Sequence, residues 1–120
     1  MFGLGKKVEI KTLDINKAYQ NYEENKEHIT IICSDEQKDF DDRHIMGAEC
    51  FPLRLMDQFE DYYPDKDMIY YFYAINNAIS ERACKKAIKK GYQVYHLGTF
   101  VAFKGKEEGL LAAKKHRRRR

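Results

Sequence analysis

The residues best placed to do chemistry in this chain lie between Met68 and Tyr92, and the decisive one is an alanine. Met68-Ile-Tyr-Tyr-Phe-Tyr73 is a continuous apolar and aromatic run, the pattern of a parallel strand covered on both faces. Ala74-Ile75-Asn76-Asn77-Ala78 breaks it. From Ile79 to Lys90 an apolar stripe (Ile79 or Ser80, then Ala83, Cys84, Ala87 and Ile88) predicts an amphipathic helix that Gly91 ends as its C′ residue. Strand, tight loop and helix in that order bring backbone N–H groups and a helix dipole to one point. In open α/β sheets ligands bind there, beyond the carboxyl ends of the strands. A nucleophile at this turn would occupy position 74, and the chain offers a methyl group.

Other reactive side chains are few. Cys33, Cys50 and Cys84 are an odd number without Cys-x-x-Cys spacing. They read as small buried hydrophobes in a reducing compartment, with no zinc-type pairing, and neither a metal nor a cofactor is expected. Cys33 ends a predicted strand that points to the same edge as Ala74, so a relocated thiol is conceivable there. Ser34, Asp35 and Glu36 follow it, however, and acidic neighbours raise a thiol pKa. Cys50 and Cys84 read as core residues. His28 and His96 flank strands and carry no signal of a partner.

Length and charge bound the rest. One domain of 120 residues can bury a core without disulfides or metals. No apolar run approaches the roughly 18 residues of a membrane span. Met1-Phe-Gly-Leu-Gly-Lys-Lys7 lacks a signal-peptide core, so the chain reads as cytoplasmic. The net charge of +3 is unevenly distributed. Lys114-Lys-His-Arg-Arg-Arg-Arg120 carries six of the 22 basic residues, leaving 16 against 19 acidic ones in a mildly acidic body. Such a tail attracts nucleic acid, anionic lipid or an acidic protein, or is simply solvated.

Along the chain, short strands alternate with helices. Lys7–Lys11 reads as an edge strand, and Thr12 or Asp14 caps a helix to about Glu24 with Ile15, Ala18, Tyr19 and Tyr22 inward. His28–Cys33 is a β-branched buried strand. The acidic stretch Asp35–Asp42, anchored by Phe40, suits one or two helical turns. Ala48–Phe51 is a strand stopped by Pro52, and Leu53, Leu55, Met56 and Phe59 mark another helix. Asp61–Asp67 is turn chemistry. After the central strand and helix comes Gln93–Leu97, then Gly98–Phe103 leading to the tail. This alternation predicts an α/β sandwich around a parallel sheet.

These segments resemble a single rhodanese-like domain over residues 8–109, with residues 1–7 as an extension and 110–120 as a basic tail. His44-Ile-Met-Gly-Ala48 before Cys50-Phe-Pro52 is similar to the family's His-Ile-x-Gly-Ala segment, with Phe40 at its aromatic position. Lys89-Lys-Gly-Tyr92 with Val94-Tyr-His-Leu97 resembles the helix end and following strand. Gly98-Thr-Phe100 with Phe103 resembles the family's glycine pair, Phe and downstream Trp, one residue shorter and with Thr99 for a glycine. The resemblance implies a three-layer α/β/α sandwich with a mainly parallel five-stranded sheet. It also implies a structural hydrogen-bonding role for His44.

The resemblance places the family's loop, Cys-x-x-Gly-x-Arg-Ser, on Ala74 to Ser80. There the Cys falls on Ala74, the Gly on Asn77 and the Arg on Ile79, while Ser80 and Arg82 match. Nucleophile and cation are both missing, which also excludes the phosphatases that share the architecture. In the first core strand the family's Asp falls on Cys33 and its Arg on Asp35, so its loop-orienting network is absent or rebuilt. Asn77 could keep the tight turn through left-handed backbone angles. Asn76, Asn77, Ser80 and Arg82 could still contact an anion or peptide, and Ile75 and Ile79 make the mouth apolar. A basic helix face (Lys85, Lys86, Lys89 and Lys90 beside Arg82) and the tail residues Arg117, Arg118, Arg119 and Arg120 form a second candidate surface. The expected function is an inactive rhodanese-like module that binds a protein or an anion. A sulfur carrier using Cys33, or a nucleic-acid-associated protein using its tail, are the alternatives.

Overall fold

A computed structural model describes residues 8–112. Its central sheet is all parallel, with strand order β1-β6-β5-β2-β4. The strands are β1 Lys11–Thr12, β2 Ile29–Cys33, β4 Glu49–Cys50, β5 Ile69–Tyr73 and β6 Gln93–His96. Helices α1 (Ile15–Glu24), α2 (Gln37–Asp42), α3 (Phe59–Tyr62) and α4 (Asn77–Lys89) fill the crossovers. A separate antiparallel pair joins β3 (His44–Ile45) to β7 (Glu107–Glu108).

β2 and β5 form the centre because both are apolar on both faces, the requirement for a strand covered by helices on each side. Their register runs from Ile29 opposite Ile69 to Cys33 opposite Tyr73. One face packs Ile31, Cys33, Tyr71 and Tyr73 against Ile15, Ala18 and Tyr19 of α1, with Phe100 and Phe103. The other packs Ile32, Tyr70 and Phe72 against Ala83, Cys84 and Ala87 of α4 and Phe59 of α3. This is the three-layer sandwich expected, with the loop after β5 at the carboxyl ends of β5 and β2. No helix among the described residues is long and apolar enough to cross a membrane.

Two local expectations need correction. The first strand is Lys11–Thr12, not Lys7–Lys11, because only those two residues meet β6, at Tyr95 and His96; Lys7 lies outside the described residues. The segment after Pro52 is a 3-10 helix from Leu53 to Gln58 that becomes α-helical at Phe59. The β3–β7 pair has no signal in the sequence, since two-residue strands carry no period. It is fastened by Arg43, whose guanidinium donates to both oxygens of Glu107 at 2.9 and 3.0 Å.

The turn after β3 makes a testable demand. Gly47 has φ +91°, and a Cβ there would collide with the Tyr22 hydroxyl. Gly47→Ala should therefore cost about 1–3 kcal/mol from backbone strain and displacement of Tyr22. Urea unfolding measures this, and a variant within a few tenths of wild type would contradict the packing.

Candidate functional site

β5 delivers its last side chain, Tyr73, into the α1 face, and the chain then turns at Ala74, which is fully buried. Asn76 caps the next helix: its side-chain oxygen accepts from Ala78 N–H at 2.9 Å and its carbonyl from Ile79 N–H at 3.0 Å. The helix therefore begins at Asn77, two residues before the apolar stripe suggested. A short polar side chain at the N-cap satisfies an otherwise orphaned donor, and that wins over the hydrophobic period. Left-handed angles at Asn77 are not used, since no non-glycine residue has positive φ among the described residues. Asn77 is simply the first helical residue, and its buried Oδ1 meets no hydrogen-bond donor.

The first N–H of the loop is anchored on the Asp35 carboxyl group, which also receives a buried thiol. Ile45 N–H donates to the Tyr73 hydroxyl at 2.9 Å. The Cys33 thiol lies beside that hydroxyl. The Cys33 thiol in turn donates to Asp35 Oδ2 at 3.3 Å. Asp35 also accepts the first N–H of the loop, that of Ile75, at 3.0 Å. Asp35 is 7% exposed. Burial holds its carboxyl above the ordinary range, although the Ile75 N–H and the Cys33 thiol pull the other way. Its position was read from sequence as the start of an acidic helix. Nothing in the local pattern shows that its side chain turns into the loop.

Cys33 is fully buried. Its thiol pKa is raised first by burial and then by Asp35. Cys84 is pushed up to about 12 by burial and, secondarily, by Glu81. Cys50 is half-buried and pushed up to about 11, mostly by burial; its thiol donates to the Asp35 carbonyl at 3.4 Å.

On the α4 side, Ser80 Oγ lies 2.6 Å from His96 Nε2 and 3.2 Å from the Asn77 carbonyl. Both side chains are buried. His96 thus has a partner that the sequence did not signal, because strand end and helix start are 16 residues apart. The bond ties the first turn of α4 to the end of β6. Burial lowers the His96 pKa below its usual 6.5, while Glu81 opposes this. An unfolded chain then binds a proton that the folded chain refuses, so stability is lost as pH falls from about 6.5 through the folded value. His96→Gln should flatten that decline, whose slope for one proton is at most about 1.4 kcal/mol per pH unit. Denaturant melts between pH 7 and 5 test it, and an unchanged slope would show that His96 is not the titrating group. Asp35, raised instead of lowered, contributes with the opposite sign, its stabilisation fading as pH rises.

His44 stacks on Phe40 at 3.7 Å between ring centroids, with Nδ1 2.6 Å from the Phe40 carbonyl. Its Nε2 lies 3.3 Å from Glu108. These contacts fasten α2 to the β3–β7 pair.

The basic helix face is partly consumed. Lys86 pairs with Asp57 at 3.2 Å and Lys90 with Glu60 at 2.8 Å. Arg82, Lys85 and Lys89 are exposed and form no ion pair among the described residues. Arg117 to Arg120 lie outside those residues. Two clefts sit away from the loop. One of about 220 Å³ lies beside β6 and is lined by Glu9, Tyr92 and Tyr95. The other, of about 420 Å³, lies between the end of α1 and the starts of β2 and β5, lined by Asn21, His28 and Tyr71.

No protein-family model matches the sequence, and no curated protein matches it. Solved structures do. The BH2092 protein from Bacillus halodurans superposes with a TM-score of 0.75 at 20% identity, over 87% of this chain and 80% of that one. The rhodanese-like domain of the Alr3790 protein from Anabaena sp. gives 0.74 at 21% identity, over 89% and 84%. A rhodanese with anions from E. coli gives 0.62 at 19% identity, over 68% of this chain and 99% of that one. With the same parallel sheet, the same layers and a loop at the end of β5, this chain has the rhodanese-like α/β/α fold.

Proposed function

We propose that the chain is a catalytically silent rhodanese-like module that acts by binding another protein, in a regulatory or scaffolding role. One observation carries this reading: Ala74 is buried where β5 meets the loop, and the loop's first N–H already serves the Asp35 carboxylate. Persulfide transfer needs a thiolate at that point and a cation to hold an anionic donor. Alanine, Ile79 and a carboxylate supply neither. Phosphatase chemistry on the same architecture needs a Cys at position 74 and an Arg at the loop's end, where Ser80 stands.

Cys33 is a poor substitute. Its sulfur is buried, its proton is engaged by Asp35, and both conditions oppose the thiolate. Binding of a free oxyanion is disfavoured as well, because Asp35 places negative charge beside the donors that would receive it. Ile75, 52% exposed, instead presents apolar surface at the mouth, which suits a peptide contact.

The test is incubation of the reduced full chain with thiosulfate and cyanide. We expect no thiocyanate above a protein-free control. Thiocyanate formation that Cys33→Ala abolishes and Cys84→Ala leaves intact would replace this reading with that of a sulfur carrier.

A further inference from the structure

Two of the three cysteines stand side by side in the sheet. β4 pairs with β2 in parallel, and Cys50 is the register partner of Cys33. Register partners project to the same face. Cys33 packs on the α1 side, while Phe51, which follows Cys50, packs on the α4 side, so alternation returns Cys50 to the face of Cys33. Both sulfurs contact one residue. Cys33 Sγ donates to Asp35 Oδ2 at 3.3 Å and Cys50 Sγ to the Asp35 carbonyl at 3.4 Å. Both thiols are free; so is Cys84, which is buried on the opposite face of the sheet.

Neighbouring strands run about 4.8 Å apart, within the roughly 4.4–6.8 Å between Cα atoms that a disulfide spans. Its Cβ atoms need about 3.5–4.5 Å, slightly less than the ladder spacing. β4 has two residues and lies at the edge of the sheet, so it is free to make that approach. A disulfide closed against such resistance stays reducible. Access is one-sided, since Cys50 is half-buried and Cys33 fully buried. An oxidant meets Cys50 first, and Cys33 has only to reach a sulfur already held beside it. Burial raises both thiols, so the exchange is slow and answers to sustained oxidation.

We propose that Cys33 and Cys50 form a reversible disulfide, a redox latch beneath the loop after β5. The oxidant is a low-molecular-weight disulfide. The Cys50 thiolate attacks one of its sulfurs, that S–S bond breaks, and one thiol leaves. The Cys33 sulfur then attacks the Cys50 sulfur of the mixed disulfide and expels the second thiol. Two protein thiols are oxidised, one small disulfide is reduced, and the two protons end on the departing thiols. Closure takes the Cys33 proton away from Asp35 Oδ2, so the carboxyl group that anchors Ile75 N–H loses a donor. The latch goes beyond the binding-module reading and does not depend on it.

The test incubates the full chain with oxidised glutathione, alkylates the remaining thiols in denaturant and maps the peptides by mass spectrometry. One crosslink from Cys33 to Cys50 is expected, with Cys84 alkylated, and dithiothreitol should reverse it. Cys84→Ala should leave the crosslink intact, whereas Cys33→Ala should trap glutathione on Cys50. In amide NMR of the native sequence, the Ile75 resonance should move on oxidation and return on reduction, while that of Lys89, exposed on α4, stays in place. A crosslink through Cys84, glutathione resting on Cys50 of the native chain, no oxidation at all, or an unmoved Ile75 amide would each overturn the proposal. None of these outcomes bears on the thiocyanate test, which uses the reduced chain.

Discussion

Ala74→Cys is expected to yield a thiol that does no sulfur chemistry until Asp35 is neutralised and a cation stands at position 79. The new sulfur would sit at the end of β5 next to the Ile75 N–H, within the field of a carboxylate that already claims that donor. Like charge and burial both raise a thiol pKa, so the single variant should titrate above the ordinary value of about 8.5. Asp35→Asn keeps an oxygen for Ile75 N–H while removing the charge. In the double variant the thiol pKa should fall by about one unit or more, close to a tenfold gain in thiolate near neutral pH. Adding Ile79→Arg restores the missing cation, and only this triple variant should form thiocyanate from thiosulfate at a readily measured rate. Alkylation rates against pH, corrected for the three native cysteines, give the pKa values. Equal thiocyanate formation by the single and triple variants would show that neither Asp35 nor Ile79 limits the site.

Phe59→Ala should cost about 3–5 kcal/mol, a large part of the stability of a domain this size. Phe59 is fully buried, and its ring packs within 4.9–5.7 Å of Phe51, Tyr63, Tyr70, Phe72 and Tyr92, centroid to centroid. It holds the α3 side of the sandwich to the sheet, so truncation opens a cavity and also removes several edge-to-face contacts. Tyr62, next along α3 but 64% exposed, is the control, and Tyr62→Ala should change stability by less than about 0.5–1 kcal/mol. Chemical denaturation separates the two. A Phe59 variant as stable as the Tyr62 variant would mean that the aromatic cluster relaxes freely.

What could be read from sequence was what repeats locally. The all-apolar runs of β2 and β5, the stripe of α4 and the punctuation at Gly91 and Pro52 all reflect burial with a period, which one segment carries by itself. The absence of a sulfur at position 74 was equally legible once the spacing to Gly91 was counted. The contacts that set the site were not. Ser80 to His96, Ile45 to Tyr73, Ile75 to Asp35, and Arg43 to Glu107 are single pairings between distant segments, and no local pattern announces them. Asp35 is the sharpest case. In sequence it is one acid among several, and only the fold turns its carboxylate toward the loop.

The sheet ends on both sides in strands of two residues, β1 and β4. Stubs that short give an incoming chain almost no ladder to extend, so the molecule should resist fibril templating and domain-swapped stacking even when concentrated. Recognition by strand addition is disfavoured for the same reason, which leaves side-chain contacts as the means of choosing a companion.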